Sequence, residues 1–515
     1  MNYGEVFQKI TSHCKEHGFI FQSGEIYDGL GAVYDYGPLG VSMKKALADL
    51  WWRAMTQVRD NVVGLDSAIL MPPKVWKASG HVDAFNDPLI DNKDSKRRYR
   101  ADVLIEDHIQ KLEQKAQKEA EKKAKKEGWT TDSTEYQNFL VKSRYGAQAV
   151  EAQKKMSEAL NANDMGAMKA LIEELEIVCP ESGTRNWTEV RQFNLMFKTS
   201  MGAVADEGLD LYLRPETAQG IFVNFLNVQK TMRLKPPFGI AQIGKAFRNE
   251  IIARQFIFRM REFEQMEMQF FIKPGTQGEW YEYWREARHR WHLALGVTPE
   301  RLRFKPHEKL AHYADAAVDI EFEYPFGFKE IEGIHSRTDF DLTRHEEFSG
   351  KKLRYFDPET NESYIPYVIE TSVGLDRAFL LHLCDSYLEE DAPTASGGVE
   401  TRTVLKLHPL LAPTTVAVLP LVKKDGLPEI ADAIINDLRY DFRTGYDEKD
   451  AIGRRYRRQD AKGTPFCITI DEDTKSDNTV TVRDRDSMNQ VRIAIDQLNG
   501  YLKEKVNLRA FLNAL

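Results

Sequence analysis

Cysteine is scarce in this chain. Its four cysteines, Cys14, Cys179, Cys384 and Cys467, are spread over 515 residues. That spacing argues against a disulfide framework and for reduced thiols in a cytoplasmic setting. Long uncharged apolar runs are also missing, so no segment is expected to span a bilayer. The first residues lack the pattern of a secretory leader, because Lys9, Lys15 and Glu16 interrupt the apolar positions. Nor is positive charge in excess. Lysine and arginine number 71 against 79 acids, a net charge of −8, so contact with a polyanion must come from local patches. What the chain does hold is 42% hydrophobic residues, enough for a large core and more than one domain.

Composition shifts divide the chain. Residues 1–105 alternate short apolar runs with Gly/Pro turns, an α/β texture. From 106 to 190 the sequence turns Lys-, Glu- and Ala-rich, as in Lys111-Leu112-Glu113-Gln114-Lys115-Ala116. These are strong helix formers with few apolar anchors and predict a projecting helical insertion. Strands dominate again over 191–391. A connector at 392–410 contains Pro393 and Gly397-Gly398, and 411–515 reads as a small α/β unit in the order β-α-β-α-β-β-α.

The densest chemistry lies at Phe247-Arg248-Asn249-Glu250 and Phe258-Arg259-Met260-Arg261-Glu262-Phe263, read as neighbouring strands. From Phe258 the alternation separates Phe258, Met260, Glu262, Glu264, Met266, Met268 and Phe270, mostly apolar, from Arg259, Arg261, Phe263, Gln265, Glu267 and Gln269. A buried sheet has little reason to line up charges of both signs unless a charged ligand rests on them. Such a face, with one ring, suits a triphosphate and a flat base. Downstream, an apolar strand through Glu370-Thr371-Ser372 meets Gly374, and a helix opens with Arg377 in its first turn. A helix N-terminus already favours anions, and a cation there makes sense in front of a phosphate. The earliest segment, Gly37-Pro38-Leu39-Gly40, punctuates a turn before a helix through Met43 to Trp52. A near match to the phosphate-binding P-loop, Gly239 to Ala246, is rejected. It lacks the Ser/Thr for Mg²⁺ and runs into a strand.

In that order, Gly37-Pro38-Leu39-Gly40, the strand at 247–250 and Gly374-Leu375-Asp376-Arg377 resemble motifs 1, 2 and 3 of class II aminoacyl-tRNA synthetases. Arg214-Pro215-Glu216-Thr217-Ala218-Gln219-Gly220, Glu332-Gly333-Ile334 and Glu370-Thr371-Ser372 are similar, more narrowly, to the dimeric glycyl-tRNA synthetases. The resemblance covers nearly the whole chain. It implies an α/β (α+β) protein: an antiparallel-sheet catalytic domain, a helical insertion and a C-terminal anticodon-binding domain. It also implies a cytoplasmic homodimer, with no membrane partner, that uses ATP, glycine and tRNA(Gly).

Activating an amino acid brings a carboxylate onto the α-phosphate of ATP, so positioning and charge neutralisation carry the catalysis. By the resemblance, Arg248 bridges α-phosphate and glycine carboxylate, and Arg377 holds the γ-phosphate. Phe263 stacks on adenine, Glu250 accepts from its amino group and Arg259 contacts phosphates. Asn249, Phe258, Ile331 and Gly374 complete the expected nucleotide contacts. Glu330 is the first choice for Mg²⁺, with Glu332 as the alternative. Glycine offers no side chain to grip, so the site must hold its two charges and fill the space of a methyl. The resemblance places Glu267, Glu370 and Ser372 around the ammonium with Glu216 nearby, gives the carboxylate to Arg337, and adds Arg100. So many acids in one cavity imply dependence on a bound cation.

Cys179-Pro180-Glu181-Ser182 stands where relatives carry a Cys-x-x-Cys knuckle. One thiol makes no structural site, so no zinc is expected. Arg454, Arg455, Arg457 and Arg458 around Tyr456 are the expected tRNA contacts. A synthetase for proline, threonine or histidine would share motifs 2 and 3, but Glu370-Thr371-Ser372 favours glycine. A non-catalytic RNA-binding paralogue would have lost its phosphate-binding arginines, yet Arg248, Arg259 and Arg377 all stand.

Overall fold

The structure, a computed structural model, describes residues 3–131, 133–202, 209–250, 255–307, 310, 314–393 and 397–515. It divides into two compact units. The larger takes in Met1–Ser79, Lys198–Arg248 and Ala253–Leu515, and the smaller Gly80–Phe197 with Asn249–Ile252.

The larger unit is built on a seven-stranded sheet. In chain order its strands are β1 (Val62–Gly64), β2 (Phe238–Phe247), β3 (Glu262–Ile272), β4 (Leu302–Pro306), β5 (Ala316–Tyr324), β6 (Gly327–Thr338) and β7 (Tyr367–Gly374). They lie side by side as β4-β5-β6-β7-β3-β2-β1, antiparallel except for the β1–β2 pair. The period-2 alternation expected for β3 is present. Met266, Met268 and Phe270 enter the main core, while Gln265, Glu267 and Gln269 lie on the other face. Among the helices that flank the sheet are α1 (Pro38–Thr56), α2 (Gln277–Ala294) and α3 (Leu375–Ser386). Trp284 of α2 packs edge-on against Phe270 with ring centroids 5.2 Å apart. Trp51 of α1 is fully buried, and the indole of Trp52 covers Gly64, so packing accounts for both rings.

Several strand limits differ from expectation. Strand β2 ends at Phe247, so Arg248 to Glu250 leave the sheet instead of extending it. Phe256–Phe258 form a 3₁₀ turn, and β3 opens only at Glu262. Arg261 therefore sits before the strand, where its backbone N–H donates to the Ala32 carbonyl and its side chain to that of Gly31. Strand β7 runs straight into α3, and Gly374 caps that helix in an extended conformation. The P-loop-like segment lies inside β2, as its apolar interior requires.

Within the smaller unit, helices span Ala101–Glu127, Thr134–Lys142, Arg144–Asn161 and Met165–Glu174. Helix propensity extends the first of them five residues upstream of the expected boundary. It buries Leu104, Ile105, Ile109 and Leu112 against Ala152, Met156 and Leu171.

The C-terminal part of the larger unit has a five-stranded sheet. Val416–Pro420, Thr444–Tyr446 and Phe466–Ile470 are parallel, and Thr479–Asp484 and Gln490–Ala494 continue it antiparallel. The last strand departs from expectation, because Gln490, Val491 and Arg492 are exposed and give no buried alternation. No helix among the described residues is long and apolar enough to cross a membrane.

Candidate active site

Strand register assembles the polar face. Asp319 of β5, Gly333 of β6, Ser372 of β7, Glu267 of β3 and Gln242 of β2 are direct partners across five consecutive strands. One step along, His335, Glu370 and Gln269 form a second row. The expected ammonium-binding residues thus come together, although they are about a hundred positions apart in the chain.

Burial and hydrogen bonding set the charges. Gln269 Nε2 donates to Glu267 Oε1 and to Glu370 Oε2, each at 2.7 Å. The Thr217 hydroxyl also donates to Glu267. Burial, then the negative charges of Glu370 and Glu216, push the Glu267 carboxyl well above the usual range. For Glu370, burial is outweighed by the Arg337 guanidinium and by hydrogen bonds from His335 and Gln269, which hold it below that range. His335 Nδ1 is 2.8 Å from Glu370 Oε1. Ser372 accepts from Gln265 at 3.3 Å, and Glu216 from Gln219 at 2.9 Å.

Arg337 is buried and donates to Asp341 at 2.8 and 3.0 Å and to Glu370 at 3.0 Å. It thereby neutralises two buried acids, a role its sequence neighbourhood does not signal. Arg214 likewise faces inward and donates to the carbonyls of Lys245 and Ser67. Its guanidinium fills the space a side chain at Gly244 would need.

Arg377 stands where the nucleotide is expected. Its guanidinium lies 4.3 Å over the Phe258 ring and donates to the carbonyls of Phe258 at 3.3 Å and Glu330 at 3.1 Å. It also pairs with the Glu330 carboxylate at 3.2 Å. Desolvation raises the Glu330 carboxyl, but Arg377, with His335 and Arg248, more than offsets this and lowers it below its ordinary value. Arg248 lies 5.2 Å over the Phe263 ring, and its Nε donates to the Pro215 carbonyl at 3.1 Å. Ile331 sends its side chain into the core, so only its backbone remains for a ligand. Arg259 follows the 3₁₀ turn as its extended cap.

The two acids of β6 have different surroundings. Glu332 is fully buried on the opposite face, paired with Arg288 at 2.5 Å and His292 at 2.8 Å. Its carboxylate is committed to the core, whereas that of Glu330 is half-exposed beside Arg377.

The smaller unit holds Arg100, Asn249 and Glu250. Arg100 pairs with Asp87 at 3.1 Å and Asp102 at 2.5 Å, and the Asn249 N–H donates to the Leu195 carbonyl at 2.7 Å.

The basic run at 454–458 behaves differently from expectation. It lies on the helix Ile452–Lys462. Arg455 is buried and donates to the carbonyls of Pro420, Asp447 and Leu421. It is a structural residue, because an amphipathic helix turns one of five consecutive residues fully inward. Arg457 pairs with Glu400, and Arg458 with Asp447 and Asp450. Tyr456 is tied to Thr469 and covered by Arg483, so its ring is not offered to a base. Arg454 alone of the four arginines is exposed.

Three family models match the chain. Residues 87–195 match the glycyl-tRNA synthetase insertion domain 1, 197–387 the class II tRNA synthetase core domain for G, H, P, S and T, and 415–505 an anticodon binding domain. The glycine–tRNA ligase of Chlorobaculum tepidum is 53% identical over 499 residues, 97% of this chain and 99% of that protein. The chain belongs to the glycyl-tRNA synthetase family. Other members are comparably similar. The glycine–tRNA ligase of Treponema denticola is 48% identical over 502 residues, 97% of each chain, and that of Staphylococcus haemolyticus 50% over 501 residues, 97% of this chain and 98% of that protein. The class II core match spans the strands that carry Glu267, Glu330, Glu370 and the helix of Arg377.

Proposed function

We propose that the chain condenses glycine with ATP to glycyl-adenylate and transfers the glycyl group to tRNA(Gly). The observation that carries this reading is the pair of buried carboxylates, Glu267 and Glu370, converging on Gln269 beside Ser372. Glu370 already faces Arg337 and His335, so glycine's ammonium would add the cation that Glu267 needs in order to ionise. Glu216 adds a third acid to the same pocket. Arg337 supplies positive charge for the carboxylate, and Arg100 is assigned as a further contact to it.

Arg248 and Arg377 act as electrostatic catalysts. Arg248 neutralises the α-phosphate as the carboxylate attacks, and Arg377 draws charge from the leaving pyrophosphate. Adenine displaces Arg248 from the face of Phe263 and stacks there; Glu250 is assigned to its amino group, and Asn249 is kept among the nucleotide contacts. Phe258 backs Arg377, Arg259 meets phosphates, and the Ile331 backbone and Gly374 line the same surface. Mg²⁺ favours hard oxygen donors, and the half-exposed Glu330 fits it, with nucleotide phosphates completing the shell. When bound, the ion neutralises phosphate charge. No side chain of the pocket is assigned as base for the tRNA hydroxyl.

The division of labour follows 1–105 with 191–391 for catalysis, 106–190 as insertion, 392–410 as connector and 411–515 for the anticodon. Homodimer assembly near α1 and a cytoplasmic setting belong to the same reading. Arg454 is the first choice for tRNA contact, with Arg457 and Arg458 available only if they exchange their acidic partners.

Charging of tRNA(Gly) with labelled glycine tests the whole proposal. ATP-dependent transfer of the label into acid-precipitable tRNA is expected. Charging by another amino acid in place of glycine would refute it.

A further inference from the structure

Beyond the amino-acid pocket, the polar face of the sheet carries a second constellation. His307 follows β4, Asp319 lies on β5 and His335 on β6. One ligand atom from each can be chosen so that all three lie within 4.8 Å of one another. We propose that these residues bind a divalent first-row transition ion, Zn²⁺ by preference.

Four observations converge on the site. First, the Nε2 atom of His335 is buried without a hydrogen-bond partner among the described residues. A buried imidazole nitrogen left unsatisfied is costly, and a metal ion is one way to satisfy it. His307 Nε2 lies 2.9 Å from Asp319 Oδ1, so two of the three donors are already together. Second, the two rings are 5.5 Å apart by centroid and inclined at 66°, an edge-to-face contact that brings both imidazoles to one place.

Third, His335 is held by its other nitrogen. Nδ1 lies 2.8 Å from Glu370 Oε1. A proton on Nδ1, shared with a carboxylate, leaves the Nε2 lone pair outward, and such outer partners orient metal-binding histidines in general. Fourth, Gly333 sits beneath the cluster. A Cβ there would come within 3.2 Å of His335 Cε1, 3.3 Å of its Nε2 and 3.7 Å of Asp319 Oδ1. A side chain at 333 would press on the His335 ring.

Two imidazole nitrogens and one carboxylate oxygen, with a coordination position left over, make a familiar donor set for Zn²⁺. The nitrogen donors also separate this site from that of Mg²⁺, which prefers oxygen alone. The competing reading is a simple His307–Asp319 ion pair, which binds no metal.

The test uses the full chain, stripped by chelator and equilibrated with micromolar Zn²⁺ under excess Mg²⁺. We expect about one zinc per chain, and a Co²⁺ adduct with visible absorption bands. His307→Ala and Asp319→Asn should each weaken Zn²⁺ binding by at least about tenfold, and Cys179→Ser should leave it unchanged. Circular dichroism confirms that each variant is folded, and Asp319→Asn carries the prediction if His307→Ala is not. Zinc well below one per chain would overturn the proposal. So would binding unaffected by the first two variants, or binding lost with Cys179.

Discussion

Glu267 and Glu370 share one amide: Gln269 Nε2 lies 2.7 Å from an oxygen of each. Their environments push them in opposite directions. Burial and its acidic neighbours raise Glu267, while Arg337 and His335 overcome burial and lower Glu370. Two close carboxylates cannot both ionise cheaply, so a bound cation would favour the charged form of both.

A pH dependence follows from the raised group. An acid whose folded pKa exceeds its unfolded value supports the fold fully below the ordinary value of 4.5 and less as pH climbs to the folded value. The empty protein should therefore lose Tm as pH rises through that window. Glycine should restore more Tm at the upper end than at the lower. Glu267→Gln should flatten the slope and raise the KM for glycine by about tenfold or more, as loss of a charged hydrogen-bond partner does. Thermal unfolding with and without glycine checks both signs.

The two acids of β6 should part company when each is changed to alanine. Glu332→Ala leaves Arg288 buried without its partner and should cost about 3–5 kcal/mol of stability. Glu330→Ala, at a half-exposed site, should leave Tm nearly unchanged and raise the Mg²⁺ requirement for activation. Equal stability losses in the two variants would contradict the assignment of their faces.

The polar face of β3 is legible in the sequence, because a strict two-residue alternation with Met266, Met268 and Phe270 on one side fits only an extended strand with one face in the core. The register is not. That Ser372 lies opposite Glu267 and Gly333 depends on pairings between distant strands, which no local pattern encodes. Arg455 departs from its sequence reading for a related reason. Five polar residues in a run look solvent-facing until the helix beneath them turns one inward, where three carbonyls accept from it. The His307–Asp319–His335 cluster has no signature of spacing, since its members sit on three different strands or their ends and meet only through the sheet.

Glycines of the first motif serve close packing. A Cβ at Gly40 would collide with the Phe19 carbonyl, whereas one at Gly31 would meet nothing within 4 Å. Gly40→Ala should cost about 1–3 kcal/mol by overpacking, and Gly31→Ala should be close to neutral. Denaturant midpoints of the two variants decide it.

Arg454 and Arg455, adjacent in sequence, should also separate. Arg454→Ala should raise the KM for tRNA while leaving ATP–pyrophosphate exchange intact, with a shallower salt dependence. Arg455→Ala removes a buried donor to three carbonyls and should lower Tm instead.

Catalysis is assigned to fixed positive charge. Arg377→Ala should lower the rate of adenylate formation by about 10²–10³, with glycine binding by calorimetry little altered, since Arg377 lies at the nucleotide end beside Phe258 and Glu330.

The most direct test of the account is amino-acid-dependent ATP–pyrophosphate exchange, with glycine, alanine, serine, proline, threonine and histidine in parallel. Exchange with glycine alone is predicted, because Glu267, Glu370 and Ser372 close the pocket around a bare ammonium. Exchange with alanine or serine at a comparable rate would contradict that pocket, and no exchange from folded protein would contradict the activation chemistry itself.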